Sequence, residues 1–395
     1  VKFSDVSKKE KKGSSLSASE MSSNPPNNKK DRKNSLPSTV KQDIGLPKKI
    51  RDFLSTADLD GHTSRLLMDA RQIQNSQKHV KVCNFLSSQL HSKFPQVKCY
   101  PFGSTVIGLG MPRGDLDIFV DLGNCYFKKS SKRFMKNSIH KIQETLAPIR
   151  NYWRDFEPVT KARTPILRVY CKAEDIDCDL SFSNGLSSCN TALIGYFIDL
   201  QPVCKKLAMF IKAWVQNLQL GMNSYIVSLL VIFYLQQKKL LPSVKVLQEA
   251  CESVYIDDWL ANFAPLTLEQ LKIPMSTDFY KHLVGFFKFY AYDFNYDKHV
   301  VSILVGEPVN KSIFDHNQEE NLPPEFERFK FYMSHIDLDE ADEVEDLFSN
   351  HKPLVIQDPF ELCHNVSKGI QAPKLAKILN YLRQTHEVLN ARFKN

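Results

Sequence analysis

The sequence predicts an α+β fold, a mixed sheet followed by a mostly helical region, and two observations carry that expectation. Short β-rich segments at 97–102, 116–122, 166–171 and 176–182 crowd the first half, with a helix-like stretch around 138–146 between them. After Pro202 the apolar period changes: Val203, Leu207, Phe210, Ile211, Trp214 and Leu218 recur at helical spacing. A chain of 395 residues, 43% of them hydrophobic, is long enough to bury the cores of two or three domains.

In chain order, residues 1–48 are Lys-, Ser-, Asn- and Pro-rich and predict a disordered basic linker with cation clusters at 8–12 and 29–33. Such runs are usually solvated; an RNA-attracting arm or a localisation signal is the sharper alternative. Residues 49–95 predict N-terminal helices packing on the later helical domain, because Leu66, Leu67, Ile73, Val80, Val82, Phe85 and Leu86 keep helical spacing. Residues 96–200 form the sheet-bearing unit and 201–395 the helical one. In the latter a second helix opens at Asn223 and Ser224, and helices continue to about Tyr296. The aromatic stretch 279–294 resembles a base-stacking surface in composition, but its helical spacing predicts core. The acidic run 337–346 predicts a solvated face.

Charge is uneven. The first 50 residues hold 12 of the 52 Lys and Arg and 5 of the 44 Asp and Glu, which leaves a nearly neutral remainder. Any nucleic acid it binds is held by local surfaces and specific contacts rather than by a global positive field. The nine cysteines form no C-x-x-C pair, which excludes a zinc module and suits a reducing, intracellular setting. No run is long and apolar enough for a membrane span, and no signal-peptide pattern opens the chain.

Chemistry is written most sharply at Gly103-Ser104 followed by Gly114-Asp115-Leu116-Asp117-Ile118. Strand alternation sends Asp115 and Asp117 to one side while Leu116 and Ile118 face the core. Two like charges so placed repel unless a cation lies between them, and hard oxygen ligands suit Mg²⁺, with Mn²⁺ as a substitute. A second strand offers Asp175, Asp177 and Asp179, and alternation alone does not choose among them. A charged, blunted strand edge is the plain alternative. The preceding glycine permits close backbone approach and the serine can bond a phosphate oxygen, so the combination reads as a triphosphate and metal site. No P-loop motif is present.

With these residues the chain resembles the polymerase-β-like nucleotidyltransferases, and among them the template-independent RNA terminal uridylyltransferases and their poly(A) polymerase-like relatives. Phe102-Gly103-Ser104 with Asp115-Leu116-Asp117 looks like the active-site signature, and Asp179-Leu180-Ser181-Phe182 like the strand of the third carboxylate, which selects Asp179. The resemblance covers about residues 60–370 and implies a palm at 96–200 plus a poly(A) polymerase-associated central domain. It assigns Asn190 and Thr191 to the ribose, Lys212 and Ser224 to the phosphates and Tyr225 to the base. A nucleotide-recognition loop falls near 353–370, with Asp358, Glu361 and His364, the histidine being typical of uridylyl-specific members. Asn184 and Lys368 are the weaker candidates for the RNA end. Two positions depart from the pattern: Gln216 stands where a second phosphate lysine is usual, and Lys368 where arginine is frequent.

The implied reaction is attack of an RNA 3′-hydroxyl on the α-phosphorus of UTP, with Asp115, Asp117 and Asp179 on two Mg²⁺ ions. The implied partners are RNA 3′ ends, UTP and a 3′-to-5′ exonuclease that reads U-tails, in a cytoplasmic monomer without a membrane. The competing readings are a poly(A) polymerase of the same fold and a non-enzymatic RNA-binding scaffold.

Overall fold

The computed structural model describes residues 45–315, 322–335 and 348–393. The expected linker over residues 1–44 and the acidic run at 337–346 lie outside the described residues. The chain is already buried at Leu46, and α1 (Lys48–Ser55) begins inside the span assigned to the linker. α2 (Leu59–Asn75) and α3 (Lys78–Leu90) are separated by Gln77, whose φ of 53° breaks the helix.

Five strands make the main sheet: β1 (Lys98–Phe102), β2 (Leu116–Asp121), β3 (Trp153–Val159), β4 (Ile166–Cys171) and β5 (Ile176–Ser181), in the order β1-β2-β5-β4-β3. Only β2 and β5 run parallel; the other pairs are antiparallel, so the sheet is mixed as expected. Leu116 and Ile118 are fully buried, as the alternation required. Their face is covered by Val82, Leu86 and Leu90 of α3 and by Met135, Ile139 and Ile142 of α4 (Lys132–Leu146). The N-terminal helices therefore divide, since α1 and α2 join the core of the helical region while α3 belongs to the sheet.

Two differences from the sequence-based expectation have local causes. α4 starts six residues before 138 because Ser131 caps it, its Oγ accepting the Phe134 amide at 3.2 Å. β3 was not expected. It is an edge strand with exposed Arg154, Asp155, Glu157 and Pro158, bulged between Arg154 and Glu157, so it lacks the apolar alternation of its neighbours.

α5 (Leu186–Leu200) leaves the sheet and α6 (Pro202–Asn217) enters the helical region, with Gln201 between them. The Gln201 side chain is fully buried; it donates to the carbonyls of Leu240 (3.0 Å) and Pro274 (2.8 Å) and accepts from the Ser276 amide (3.0 Å). α7 (Ser224–Gln237) is buried without a break from Ile226 to Gln236, which makes it the central helix of the core.

Beyond α7 the helices are shorter than expected: α8 (Val244–Gln248), α9 (Leu268–Leu271) and α10 (Phe279–Lys288), which runs on as a π turn over Phe289–Asp293. A hairpin, β6 (Tyr255–Ile256) and β7 (Trp259–Leu260), interrupts them because Asp257 and Asp258 both take left-handed φ values, 50° and 65°. The aromatics of 279–294 are mainly core, with Phe279, Phe286, Phe287, Tyr290 and Phe294 buried. Three short strands, β8 (His299–Ser302), β9 (Val309–Asn310) and β10 (Ile356–Gln357), and the helices α11 (Glu327–His335) and α12 (Ala372–Phe393) complete the described chain. Arg392 on α12 donates to the carbonyls of Leu54, Thr56 and Ala57, tying the end of α12 to the end of α1. No helix among the described residues is long and apolar enough to cross a membrane, and all nine cysteines are free.

Gln201→Ala strands two carbonyls and an amide at the α5–α6 junction. It is expected to cost about 3 kcal/mol in urea unfolding. A loss below about 1 kcal/mol would show that the junction does not depend on this side chain.

Candidate active site

The parallel register of β2 on β5 sets Asp117 directly opposite Asp179, and β4 sets Arg168 opposite Asp179 from the other side. Asp115 precedes the first residue of β2 and is exposed. Of the three candidates on the second strand, Asp175 lies before β5 in a left-handed turn and accepts from the Tyr170 hydroxyl, and Asp177 is exposed opposite Tyr170. The register thus brings Asp179 to Asp117.

Electrostatics around these carboxylates follow from burial and like charge. Burial, then Asp115 and Asp179, push Asp117 up to about 7 against the pull of Lys212. Burial also raises Asp179, partly offset by Arg168, whose Nε donates to Asp179 Oδ1 at 3.1 Å. Burial lowers Lys212 to about 8 although Asp115 and Asp117 oppose it. Its Nζ donates to the Leu109 carbonyl at 2.6 Å.

Between β1 and β2 the chain turns tightly over the carboxylates. Gly103 has φ +84°, and a Cβ there would lie 2.5 Å from Asp117 Oδ2, so only glycine fits. Its amide donates to Thr191 Oγ1 at 2.9 Å, and Thr191 donates to the Ser187 carbonyl at 2.8 Å, so Thr191 on α5 fixes the turn that presents Ser104. The Ser104 carbonyl accepts from the Leu109 amide at 2.9 Å, closing the loop onto the residue that Lys212 holds.

Among the described residues, no three His, Cys, Asp or Glu side chains form a ready-made metal cage. The donor set nevertheless fits a hard cation. Arg168 acts on Asp179 and Lys212 on Asp117, yet burial first and then the neighbouring carboxylates still raise Asp117, a strain that added positive charge would relieve.

The other end of the site is built around Asp358, which follows β10. Its Oδ1 accepts from the amides of Phe360 (3.0 Å) and Glu361 (2.9 Å), and its Oδ2 from Asn190 Nδ2 (3.1 Å) and the Tyr225 hydroxyl (2.9 Å). Burial, then the charge of Glu361, lift Asp358 to about 6. Asn190 Oδ1 is buried and accepts no hydrogen bond among the described residues. Ser224 opens α7, capped by Asn223, whose Oδ1 accepts from the Ile226 amide at 2.9 Å. Burial pushes Glu361 up, but Arg163 (2.7 Å) and Lys129 (3.4 Å) outweigh it and hold the carboxyl down at about 2. Burial and the charge of Arg163 push His364 down to about 3, so its ring is neutral.

The remaining candidates stand apart. Asn184 is buried and its Oδ1 accepts from the Leu186 amide at 3.2 Å, a turn-capping contact. Lys368 is half-buried, and its charge acts on His364. Gln216 is exposed, one turn beyond the buried Lys212. Sequence reasoning missed Arg168, Lys129 and Arg163. Arg168 was detectable as a lone cation within an apolar strand; the other two lie in turn-rich text without periodicity.

Comparison with known proteins agrees with this geometry. The family described as poly(A) RNA polymerase, mitochondrial-like, central palm domain, matches residues 59–199, and the Cid1 family poly A polymerase matches residues 281–364. The chain is 26% identical over 258 residues to poly(A) RNA polymerase cid11 of Schizosaccharomyces pombe, covering 62% of this chain and 50% of that protein. It is 25% identical over 304 residues to human terminal uridylyltransferase 7, covering 72% of this chain and 18% of that protein. The chain thus spans half the length of the first relative and under a fifth of the second. A crystal structure of mtPAP in complex with UTP superposes with a TM-score of 0.66 at 19% identity, covering 92% of this chain and 75% of that one. The Cid1 poly(U) polymerase superposes with a TM-score of 0.62 at 20% identity, covering 85% and 95%. Structures of mtPAP also hold ATPγS, CTP and GTP, and one of Cid1 is titled as bound to Mg and 3′-dATP.

The fold is therefore that of a polymerase-β-like nucleotidyltransferase, with a palm and a poly(A) polymerase-associated helical domain. In sequence the chain is similar to nucleotidyltransferases of the Cid1 poly(A)/poly(U) polymerase kind, through the palm match at 59–199 and the Cid1 family match at 281–364.

A carboxyl whose folded-state pKa is about 7, against an ordinary 3.8, favours the folded state when protonated, and that advantage is lost as pH rises through 7. The metal-free protein is expected to lose stability between about pH 4 and pH 7. Asp117→Asn should remove much of that slope, a gain on the order of 3 kcal/mol at pH 8. Melting curves of the two proteins across this range check it, and an unchanged slope in the variant would refute the assignment of the strain to Asp117.

Proposed function

We propose that this chain transfers UMP from UTP to RNA 3′ ends without a template. The observation that carries the uridylyl reading is His364, a neutral imidazole set in a recognition loop whose Asp358 binds the Tyr225 hydroxyl. Its kinship with a terminal uridylyltransferase supports the same reading. The second reading, adenylyl transfer, is favoured by the similarity to cid11. A non-enzymatic scaffold is disfavoured because Asp115, Asp117 and Asp179 gather at the central strands β2 and β5 at an electrostatic cost that RNA binding alone does not require.

In the proposed reaction Asp115, Asp117 and Asp179 hold Mg²⁺ or Mn²⁺, which when bound neutralises phosphate charge and lowers the pKa of the attacking 3′-hydroxyl. Ser104, Ser224 and Lys212 orient the triphosphate so that attacking and leaving oxygens lie in line. The open acceptor Asn190 Oδ1 receives the ribose 2′-hydroxyl, and Thr191 keeps the Gly103 turn in place. Tyr225 stacks on uracil, while His364 bonds its carbonyl and fills space a purine needs. Asp358 and Glu361 shape the loop, and Asn184 and Lys368 lie toward the RNA end. Free cysteines suit a cytoplasmic setting, where a 3′-to-5′ exonuclease that reads U-tails would be the downstream partner of a monomeric enzyme.

The test is a labelled RNA oligonucleotide incubated with each NTP and Mg²⁺. UTP is expected to be used best, and Asp115→Ala or Asp117→Ala to lower turnover by at least about 10³-fold with the fold intact. His364→Ala should raise kcat/KM for ATP relative to UTP about tenfold. A parent that prefers ATP defeats the uridylyl reading; near-normal turnover in either aspartate variant defeats the metal assignment.

A further inference from the structure

Besides the Asp358–Asn190 hydrogen bond, the recognition loop is tied to the palm side of the site through Glu361. Its Oε1 accepts from Arg163 Nη2 at 2.7 Å, and Lys129 Nζ lies 3.4 Å away. Arg163 lies in the β3–β4 connection and Lys129 in the β2–α4 connection, so the three residues join two loops of the sheet unit to a loop of the helical region. The pair with Arg163 is the tighter and drier one, with side chains 20% and 14% exposed against 34% for Lys129. A planar guanidinium on a desolvated carboxylate holds position where an exposed ammonium does not.

Glu361 is in turn coupled to the base end through the backbone. Its amide donates to Asp358 Oδ1 at 2.9 Å, its carbonyl accepts from the His364 amide at 2.8 Å, and the Asp358 amide donates to the His364 carbonyl at 3.0 Å. Glu361 cannot shift without moving His364. The Lys129 loop is itself fixed, because the Asp257 amide of the β6–β7 turn donates to the Phe127 carbonyl and the Ser130 amide to the Ser183 carbonyl. The charges acting on His364 are Arg163, Glu361, Lys368 and Lys129, whereas those acting on Asp117 are Asp115, Asp179 and Lys212. Arg163 is among the charges that act on His364 and not among those that shift Asp117.

We propose that Arg163 is a positioning residue for base choice: from the palm side it anchors Glu361 and thereby sets where His364 meets the nucleotide base. Base selection is then shared between the two domains, and a loop of the sheet unit that touches neither base nor phosphate decides part of it. The proposal rests on the reading of residues 357–366 as the base-recognition loop. Removing the arginine leaves Glu361 buried beside a weaker partner, which draws the loop toward solvent.

The experiment measures kcat and KM for UTP and ATP, and KM for an RNA primer, in the parent, Arg163→Ala, Arg163→Lys, Glu361→Gln and the Arg163→Ala/Glu361→Gln double variant. Melting temperatures verify that each is folded. Arg163→Ala is expected to change the UTP:ATP ratio of kcat/KM about tenfold, mostly through nucleotide KM, with kcat within about threefold and the primer KM unchanged. Arg163→Lys should recover part of the ratio, and the double variant should be no worse than the worse single. Equal losses for both nucleotides, a defect confined to kcat, or additive losses in the double variant would overturn the proposal. The parent's own ratio reports the uridylyl reading separately, and the shift on Arg163→Ala decides the proposal whichever base the parent prefers.

Discussion

Asp358 accepts four hydrogen bonds from three parts of the chain, and the geometry of the nucleotide cleft depends on them. Two come from the loop's own amides, one from Asn190 on α5 and one from Tyr225 on α7. A buried carboxylate is expensive unless its lone pairs are filled, so the residues that fill them are held at fixed separation. Asn190, Tyr225 and the loop carrying His364 are thereby registered to one another through a single side chain. Gln357 secures the strand behind it, accepting from the Ser302 hydroxyl at 2.9 Å and donating to the Leu362 carbonyl at 2.9 Å.

What the sequence disclosed and what it hid divide along physical lines. Strand alternation is local, so the shared side of Asp115 and Asp117 could be read directly, as could the buried stripe of α6. Choosing Asp179 by physics needed the register of β2 on β5, a relation between residues about 60 apart that no periodicity encodes. β3 escaped notice because an edge strand buries little: Trp153 is inside, but Arg154, Asp155, Glu157 and Pro158 face solvent. The β6–β7 hairpin was hidden because each strand has two residues and its turn is Asp-Asp rather than a glycine pair. Arg163 and Lys129 meet Glu361 across 198 and 232 residues of chain, beyond the reach of spacing arguments. For these the three-dimensional fold is the only source.

The division of the cleft also explains why one fold serves both poly(A) and poly(U) polymerases. Phosphate and metal chemistry is the same for every nucleotide, and on the proposed reading it falls to the central strands β2 and β5, whose carboxylates are fixed by register and by the Gly103 turn. On the same reading, base identity falls to a few side chains beyond a two-residue strand, β10, outside the five-stranded sheet.

The two ends differ in electrostatic design as well. On β2 and β5, burial and crowding lift Asp117 and Asp179 toward neutrality, a tension that a cation relieves. At the base end, burial acts in the opposite direction on a base: with Arg163 nearby, the His364 ring stays uncharged. A neutral imidazole offers one donor and one acceptor and places no cation beside the base, whereas an imidazolium would attract phosphate as readily as uracil. Burial is the first cause of that neutrality and the nearby cations add to it, and those same cations would pull a nucleotide's phosphates astray if they were free. Glu361 resolves the conflict, because it accepts from both Arg163 and Lys129 and so directs their charge into the fold.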